Sequence, residues 1–180
     1  MKIYAMRHGV TKLNKLHFSN GQVDEDIIEE GIEQAKSSID KVKDLDAEVI
    51  YCSPLLRAKH TCEIVNVNNL PVIYDDRLKE RTMGVLDGTD INKYGITDDD
   101  YYNYYYENDA EGFETNKAFY ERVHDFLDEL KTKDYKSVLI VAHGGILRAI
   151  HFYSNPIPED GNLLSAYNTS KNCQINTYEI

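Results

Sequence analysis

The stretch SVLIVAHGG, residues 137–145, constrains the fold of this chain more than any other. From Val138 to Ala142 the run is continuously aliphatic and has no polar face. Such a segment fits a central parallel strand covered on both sides. Parallel neighbours must be joined by long crossovers, usually helices, so strand and helix signals are expected to alternate along the chain.

They do. Residues 2–6, KIYAM, form a first strand, and Ile28, Ile32, Ala35, Ile39 and Val42 recur at steps of four and three, one face of an amphipathic helix. AEVIYCSP reads as a buried strand stopped by Pro54. A helix from Leu55 to about Val65 follows, with Ser53 as its N-cap and Pro54 in its first turn. LPVIYD is a short extended piece, Phe119, Val123, Phe126, Leu127 and Leu130 mark another helix face, and NCQINTYEI is a final edge strand. No repeat or linker divides the chain, and 180 residues suit one domain with a core of its own. The expectation is an α/β protein: an open, mostly parallel sheet with helices on both faces, one domain over residues 1–180.

Charge and composition narrow the partners. A net charge of −11 argues against binding nucleic acid or anionic lipid through bulk electrostatics. Any anionic ligand must therefore meet a local basic site. Residues 1–20 lack the apolar core of a signal peptide, and no apolar run approaches the roughly 18 residues of a membrane span, so a cytoplasmic protein is expected. Cys52, Cys62 and Cys173 are odd in number and not paired in spacing, which suggests neither a disulfide framework nor a zinc site.

Open α/β sheets bind ligands beyond the carboxyl ends of their strands. Arg7, His8 and Gly9 follow the first strand; Ser53, Pro54 and Arg57 follow the second; His143, Gly144 and Gly145 follow the aliphatic one. Two histidines and two arginines without carboxylate or thiolate ligands repel a metal ion. They suit phosphate. Arginine forks hold two phosphate oxygens at once, glycines let backbone N–H groups come close, and Gly144 opens a helix whose positive end attracts the anion. Neutral imidazole is a nucleophile near pH 7 and can carry the phosphoryl group to water. The leaving alkoxide needs a proton donor, for which Glu80 in RLKERTMGVLDG is the candidate, although a glutamate considered alone is most often a surface carboxylate.

Six segments now occur in an order that resembles the histidine phosphatase superfamily, of the cofactor-dependent phosphoglycerate mutase type: MRHGVTKLN, NGQVDEDIIEEGIEQA, YCSPLLRAKHT, LKERTMGVLDG, GFETNKAFYERV and VAHGGILRAI. A lone RHG is weak; six segments in register are strong. The resemblance implies that His8 is the phosphorylated nucleophile, that Arg7, Arg57 and His143 complete the phosphate pocket, and that Glu80 is the general acid and base. It also implies phosphate or substrate contacts for Thr11, Asn14, Asn20, Gly21 and Gly144. It implies no metal and no cofactor. Val10 stands where the mutases of the family carry a glutamate, and Phe18, Ser19 and Gln22 replace the usual substrate-loop residues. These departures favour a hydrolase over a mutase.

The remaining histidines, His17, His60, His124 and His151, are expected to be peripheral, His17 being the nearest to the substrate loop, and Arg122 and Arg148 are expected in structural ion pairs. In this family the segment between the glutamate and the second histidine is a lid, here about residues 84–116. Its DDDYYNYYYENDAEGFE is either a tyrosine surface for a ring or sugar or a solvated acidic loop with tyrosines packed on the domain. The sequence thus points to a metal-independent phosphomonoester hydrolase, with a phosphoglycerate mutase or a non-catalytic phospholigand-binding member as the alternatives. The partner is a small phosphorylated metabolite, and the protein is a monomer or homodimer.

Overall fold

Every residue of the strand Ser137–Ala142 is buried, and its side chains divide between two cores. Val138, Ile140 and Ala142 pack on one face of the sheet; Leu139 and Val141 pack on the other. This period-two alternation is what a strand covered twice must show. The structure is a computed structural model that describes residues 1–167 and 171–180. Its five strands are β1 (Lys2–Arg7), β2 (Ile50–Cys52), β3 (Val72–Tyr74), β4 (Ser137–Ala142) and β5 (Ile175–Glu179). They lie in the order β3-β2-β4-β1-β5, with the first four parallel and β5 antiparallel to β1 at the edge.

The helices are α1 (Lys12–Leu16), α2 (Glu29–Lys36), α3 (Ile39–Lys43), α4 (Leu56–Val65), α5 (Asp98–Tyr101), α6 (Asn116–Lys131), α7 (Gly144–Ser154) and α8 (Leu163–Ala166). Phe119, Phe126 and Leu130 of α6 and Ile146 and Ile150 of α7 cover one face; Ala35, Val42, Ala58 and Cys62 of α2, α3 and α4 cover the other. All three cysteines are buried and free. No described helix is long and apolar enough to cross a membrane.

Two local expectations need correction. The helix face Ile28 to Val42 belongs to two helices, because Ser37 and Ser38 turn their hydroxyls back onto the carbonyls of Glu33 (2.8 Å) and Gln34 (3.0 Å) and interrupt the ladder. Ser53 is not the cap of α4. The N-cap is Leu55, and the first free N–H, of Leu56, is taken by the Asp24 carboxylate at 2.7 Å. Ser53 is used elsewhere, as described below.

Gly9 is needed for the approach of a helix, not of a ligand. A Cβ there would lie 2.6 Å from the Gly31 carbonyl oxygen in α2, and a Cβ on Gly31 would lie 2.5 Å from that of Val10. Both obstacles are backbone and cannot swing aside. Gly9→Ala is expected to destabilise the fold by about 1–3 kcal/mol, read as a lower urea midpoint; a midpoint unchanged from the parent would contradict this packing.

The segment after Glu80 builds its own small core from Met83, Leu86, Ile91 and Ile96, with Tyr101, Tyr106, Ala110 and Phe113 packed against it. Its ends meet at a neck: Met83 bridges Phe113, Val85 N–H donates to Glu111 O (3.0 Å) and Glu114 N–H to Thr82 O (3.1 Å). Gly84 has φ +63°, and a Cβ there would lie 1.9 Å from Glu111 O, so the neck requires glycine. The tyrosines divide their duties. Tyr104 joins the main core, Tyr106 the small one, Tyr105 is exposed, and Tyr101 and Tyr102 face a cavity.

Candidate active site

The carboxyl ends of β1, β2 and β4 deliver Arg7 and His8, Ser53, and His143 to one edge of the sheet, as the topology demands. There the structure holds a cavity of about 610 Å³, the size of a small-molecule site. Arg7, His8, Asn14, Asn20, Gly21, Arg57, Glu80 and Gly144 line it; Thr11 and His143 do not.

His8 is 2 % exposed, and its ring is fixed by one contact, Nδ1 at 2.7 Å from its neighbour's carbonyl, Gly9 O. A carbonyl only accepts, so Nδ1 carries the proton and Nε2 keeps a lone pair. The backbone around it is tied down as well: Gly9 N–H donates to Thr61 Oγ1 (3.0 Å) and Asn172 Nδ2 to His8 O (2.8 Å). Burial, then the charges of Arg57 and Arg7, hold the His8 pKa well below the ordinary imidazole value. The ring is therefore neutral at pH 7.

His143 lies behind it, fully buried, with the two rings edge to face at 5.1 Å between centroids. Its Nε2 is 2.7 Å from Ser53 Oγ, which is the hydroxyl's actual task, and its Nδ1 has no partner among the described residues. Burial and the same arginines also hold this ring neutral. Arg57, 0 % exposed in the first turn of α4, donates Nη1–H to Val23 O and Nη2–H to Gly21 O, both at 2.7 Å. Its Nε–H has no partner among the described residues.

Glu80 sits in the loop after β3 with both carboxylate oxygens held by backbone. Oε1 accepts from Arg81 N–H at 2.9 Å and Oε2 from Gly145 N–H at 3.1 Å, in the first turn of α7. Gly145 is the glycine this site requires, since a Cβ there would lie 2.2 Å from Glu80 Oε1; one on Gly144 would make only ordinary contact with Arg7.

The loop of Asn14, Asn20 and Gly21 is a network of polar side chains. Thr11 caps α1, accepting from Asn14 N–H (3.2 Å) and from Asn20 Nδ2 (2.8 Å), while Asn14 Nδ2 donates to Asn20 Oδ1 (2.7 Å). Thr11 thus supports the loop from below the cavity floor. Asp87, which no sequence signal marked, clasps this loop to the neck, accepting from Gln22 N–H (2.9 Å), Met83 N–H (2.7 Å) and Thr82 Oγ1 (2.6 Å).

The far wall differs most from expectation. Arg122 does pair with Glu114, through two contacts of 2.9 and 2.8 Å. Arg148 has no ion pair among the described residues. It is 5 % exposed, lines the cavity, and lies over the Tyr102 ring at 4.6 Å. Arg81, 3 % exposed and not singled out from the sequence, also lines the cavity and stacks on Tyr101 at 4.4 Å. His17 lines the mouth; His60 pairs with Asp26, and His124 contacts Ala149 O. Among the described residues no group of histidine, cysteine and carboxylate side chains is arranged to hold a metal ion.

Comparison with known proteins gives consistent matches. The family model of the histidine phosphatase superfamily (branch 1) matches residues 3–180. A metal-independent phosphoserine phosphatase of Arabidopsis thaliana is 30% identical over 174 residues, covering 92% of this chain and 73% of that protein. A 2,3-bisphosphoglycerate-dependent phosphoglycerate mutase of Enterococcus faecalis is 31% identical over 187 residues, covering 83% of this chain and 82% of the mutase. Among solved structures, Bacillus stearothermophilus YhfR superposes with a TM-score of 0.87 at 23% identity, covering 99% of this chain and 91% of that one.

Proposed function

The chain belongs to the histidine phosphatase superfamily, branch 1, and on that premise we propose that it hydrolyses a small phosphomonoester without a metal, through a phosphohistidine on His8. The observation that carries the proposal is the tautomer of His8: with Nδ1–H given to Gly9 O and burial keeping the ring neutral, Nε2 is left as an unprotonated nucleophile on the cavity wall.

The step divides into two displacements. Nε2 attacks phosphorus as the bond to the alkoxide breaks, and Arg7, Arg57 and the α7 N-terminus at Gly144 spread the equatorial charge. Glu80, as the carboxylic acid, gives its proton to the departing alkoxide oxygen. Its carboxylate then takes a proton from the water that attacks phosphohistidine, releasing inorganic phosphate and restoring both groups. The unpartnered Nε–H of Arg57 is free to serve the phosphate oxygens.

Hydrolase rather than mutase is favoured by Val10, which lines the cavity at the position where the mutases carry a glutamate. Supplied with 3-phosphoglycerate and a 2,3-bisphosphoglycerate primer, in the presence of EDTA, the protein is expected to release inorganic phosphate. Formation of 2-phosphoglycerate as the main product would make it a mutase, and loss of activity on chelation would remove the metal-free mechanism.

A further inference from the structure

The peptide units that run from His8 to Thr11 are held by different residues. The unit between His8 and Gly9 is fixed at its carbonyl by Asn172 and at its N–H by Thr61. The unit between Val10 and Thr11 is fixed by Ile28 N–H, which donates to Val10 O at 3.0 Å, and by Asn14 Oδ1, which accepts from Thr11 N–H at 3.2 Å. Between them lies the Gly9–Val10 unit, whose carbonyl decides the tautomer of His8. Its N–H end donates to Gln34 Oε1 in α2 at 2.9 Å. Among the described residues, Gln34 is the hold on this unit from outside the loop.

We propose that Gln34 is a positioning residue for the nucleophile, acting on His8 through the Gly9–Val10 peptide; this rests on the reading of His8 as the nucleophile. The contacts run in series: His8 Nδ1–H to Gly9 O, then Val10 N–H to Gln34 Oε1. Donation at the N–H end polarises the peptide and makes its carbonyl a better acceptor. The imidazole proton is thereby kept on Nδ1 and the lone pair on Nε2.

The unit needs such a hold because it begins at a glycine. The missing Cβ that admits the Gly31 carbonyl also leaves the backbone at Gly9 free to rotate. Without an acceptor for Val10 N–H, the peptide can turn and withdraw its carbonyl from Nδ1. The helix places that acceptor. A Cβ on Gly31 would lie 2.9 Å from Val10 N, so glycine there seats α2 against the unit, and Gln34, three residues on, shares that face. Gln34 does not line the cavity, so its effect reaches the chemistry only through His8.

Gln34→Met keeps the side-chain length and removes the oxygen, whereas Gln34→Glu keeps both. On p-nitrophenyl phosphate, at a temperature where each variant is fully folded, Gln34→Met is expected to lose about tenfold or more in kcat, with KM within about threefold of the parent. Gln34→Glu should stay within about threefold in kcat. NMR of ¹⁵N-labelled histidine reads the cause. In the parent, His8, assigned by its absence from the His8→Ala spectrum, should carry its proton on Nδ1 alone; in Gln34→Met both tautomers should appear. A packing role would lower the melting temperature and leave kcat and the tautomer unmoved. A smaller loss in Gln34→Met, an equal loss in Gln34→Glu, or an unchanged tautomer overturns the inference. Should Gln34→Met not fold, Gln34→Asn, one methylene short of Val10 N–H, is held to about a threefold loss and the same tautomer test. An inactive His8→Ala beside an unimpaired Gln34→Met refutes this role alone, whereas turnover by His8→Ala near the parent's rate refutes the proposed function itself.

Discussion

His8→Ala is expected to lose at least about 10⁴-fold in kcat while keeping its secondary structure, because the methyl group leaves no atom to accept phosphorus. The ring makes one side-chain hydrogen bond, to Gly9 O, and the adjacent backbone is anchored independently by Thr61 and Asn172. Far-UV circular dichroism should therefore match the parent. The parent, quenched in alkali during turnover, should retain phosphate on His8 as an acid-labile phosphoramidate. The sign of the pH dependence follows from the same surroundings. Burial and the arginine charges lower the His8 pKa, so the neutral, reactive form persists below pH 6.5 and the acid limb of kcat/KM that reports His8 lies below that pH. Turnover by His8→Ala near the parent's rate would end the phosphohistidine mechanism.

The second large effect is at Glu80. Glu80→Gln keeps an oxygen for Gly145 N–H and removes the transferable proton, and a loss of about 10²–10⁴ in kcat is expected on an alkyl phosphate. With p-nitrophenyl phosphate the two half-reactions should come apart. Nitrophenolate leaves without a proton, whereas the water that follows still needs a base. Stopped flow should then show one equivalent of nitrophenolate per enzyme, followed by slow turnover. Equal loss on both esters without that burst would place Glu80 outside proton transfer.

The sheet and the cluster of cations and histidines at its carboxyl edge could be read from the chain because their signals are local. An uninterrupted aliphatic run followed by His143, or a strand followed by Arg7 and His8, states its environment within ten residues. What escaped depends on contacts between distant segments. Ser53 has the residue type and place of a helix cap, and only the fold shows that His143, ninety positions away, claims its hydroxyl. Gly9 belongs to a motif associated with ligands, yet the backbone it must admit is Gly31. Arg148, on the amphipathic α7, reads as half of a structural ion pair; its contact with the Tyr102 ring comes from a segment without strong periodicity. Gly145 and Gly144 are indistinguishable in sequence, and the nearness of Glu80 separates them.

The neck at Met83 and Phe113 makes the length of what it encloses a free variable. Because the chain is already closed there by Val85 and Glu111, with Asp87 fastening it to the loop at Gln22, residues inserted in its exposed turns, outside the small core of Ile91 and Ile96 and the main-core contact of Tyr104, add mainly the slowly growing entropy of a longer loop, about 0.6 kcal/mol per doubling. The sheet, Arg7, His8 and His143 do not feel the addition. Insertions at exposed turns such as that of Gly95, where an added Cβ meets nothing within 4 Å, should therefore be a cheap route by which evolution, or an engineer, reshapes the wall of the cavity.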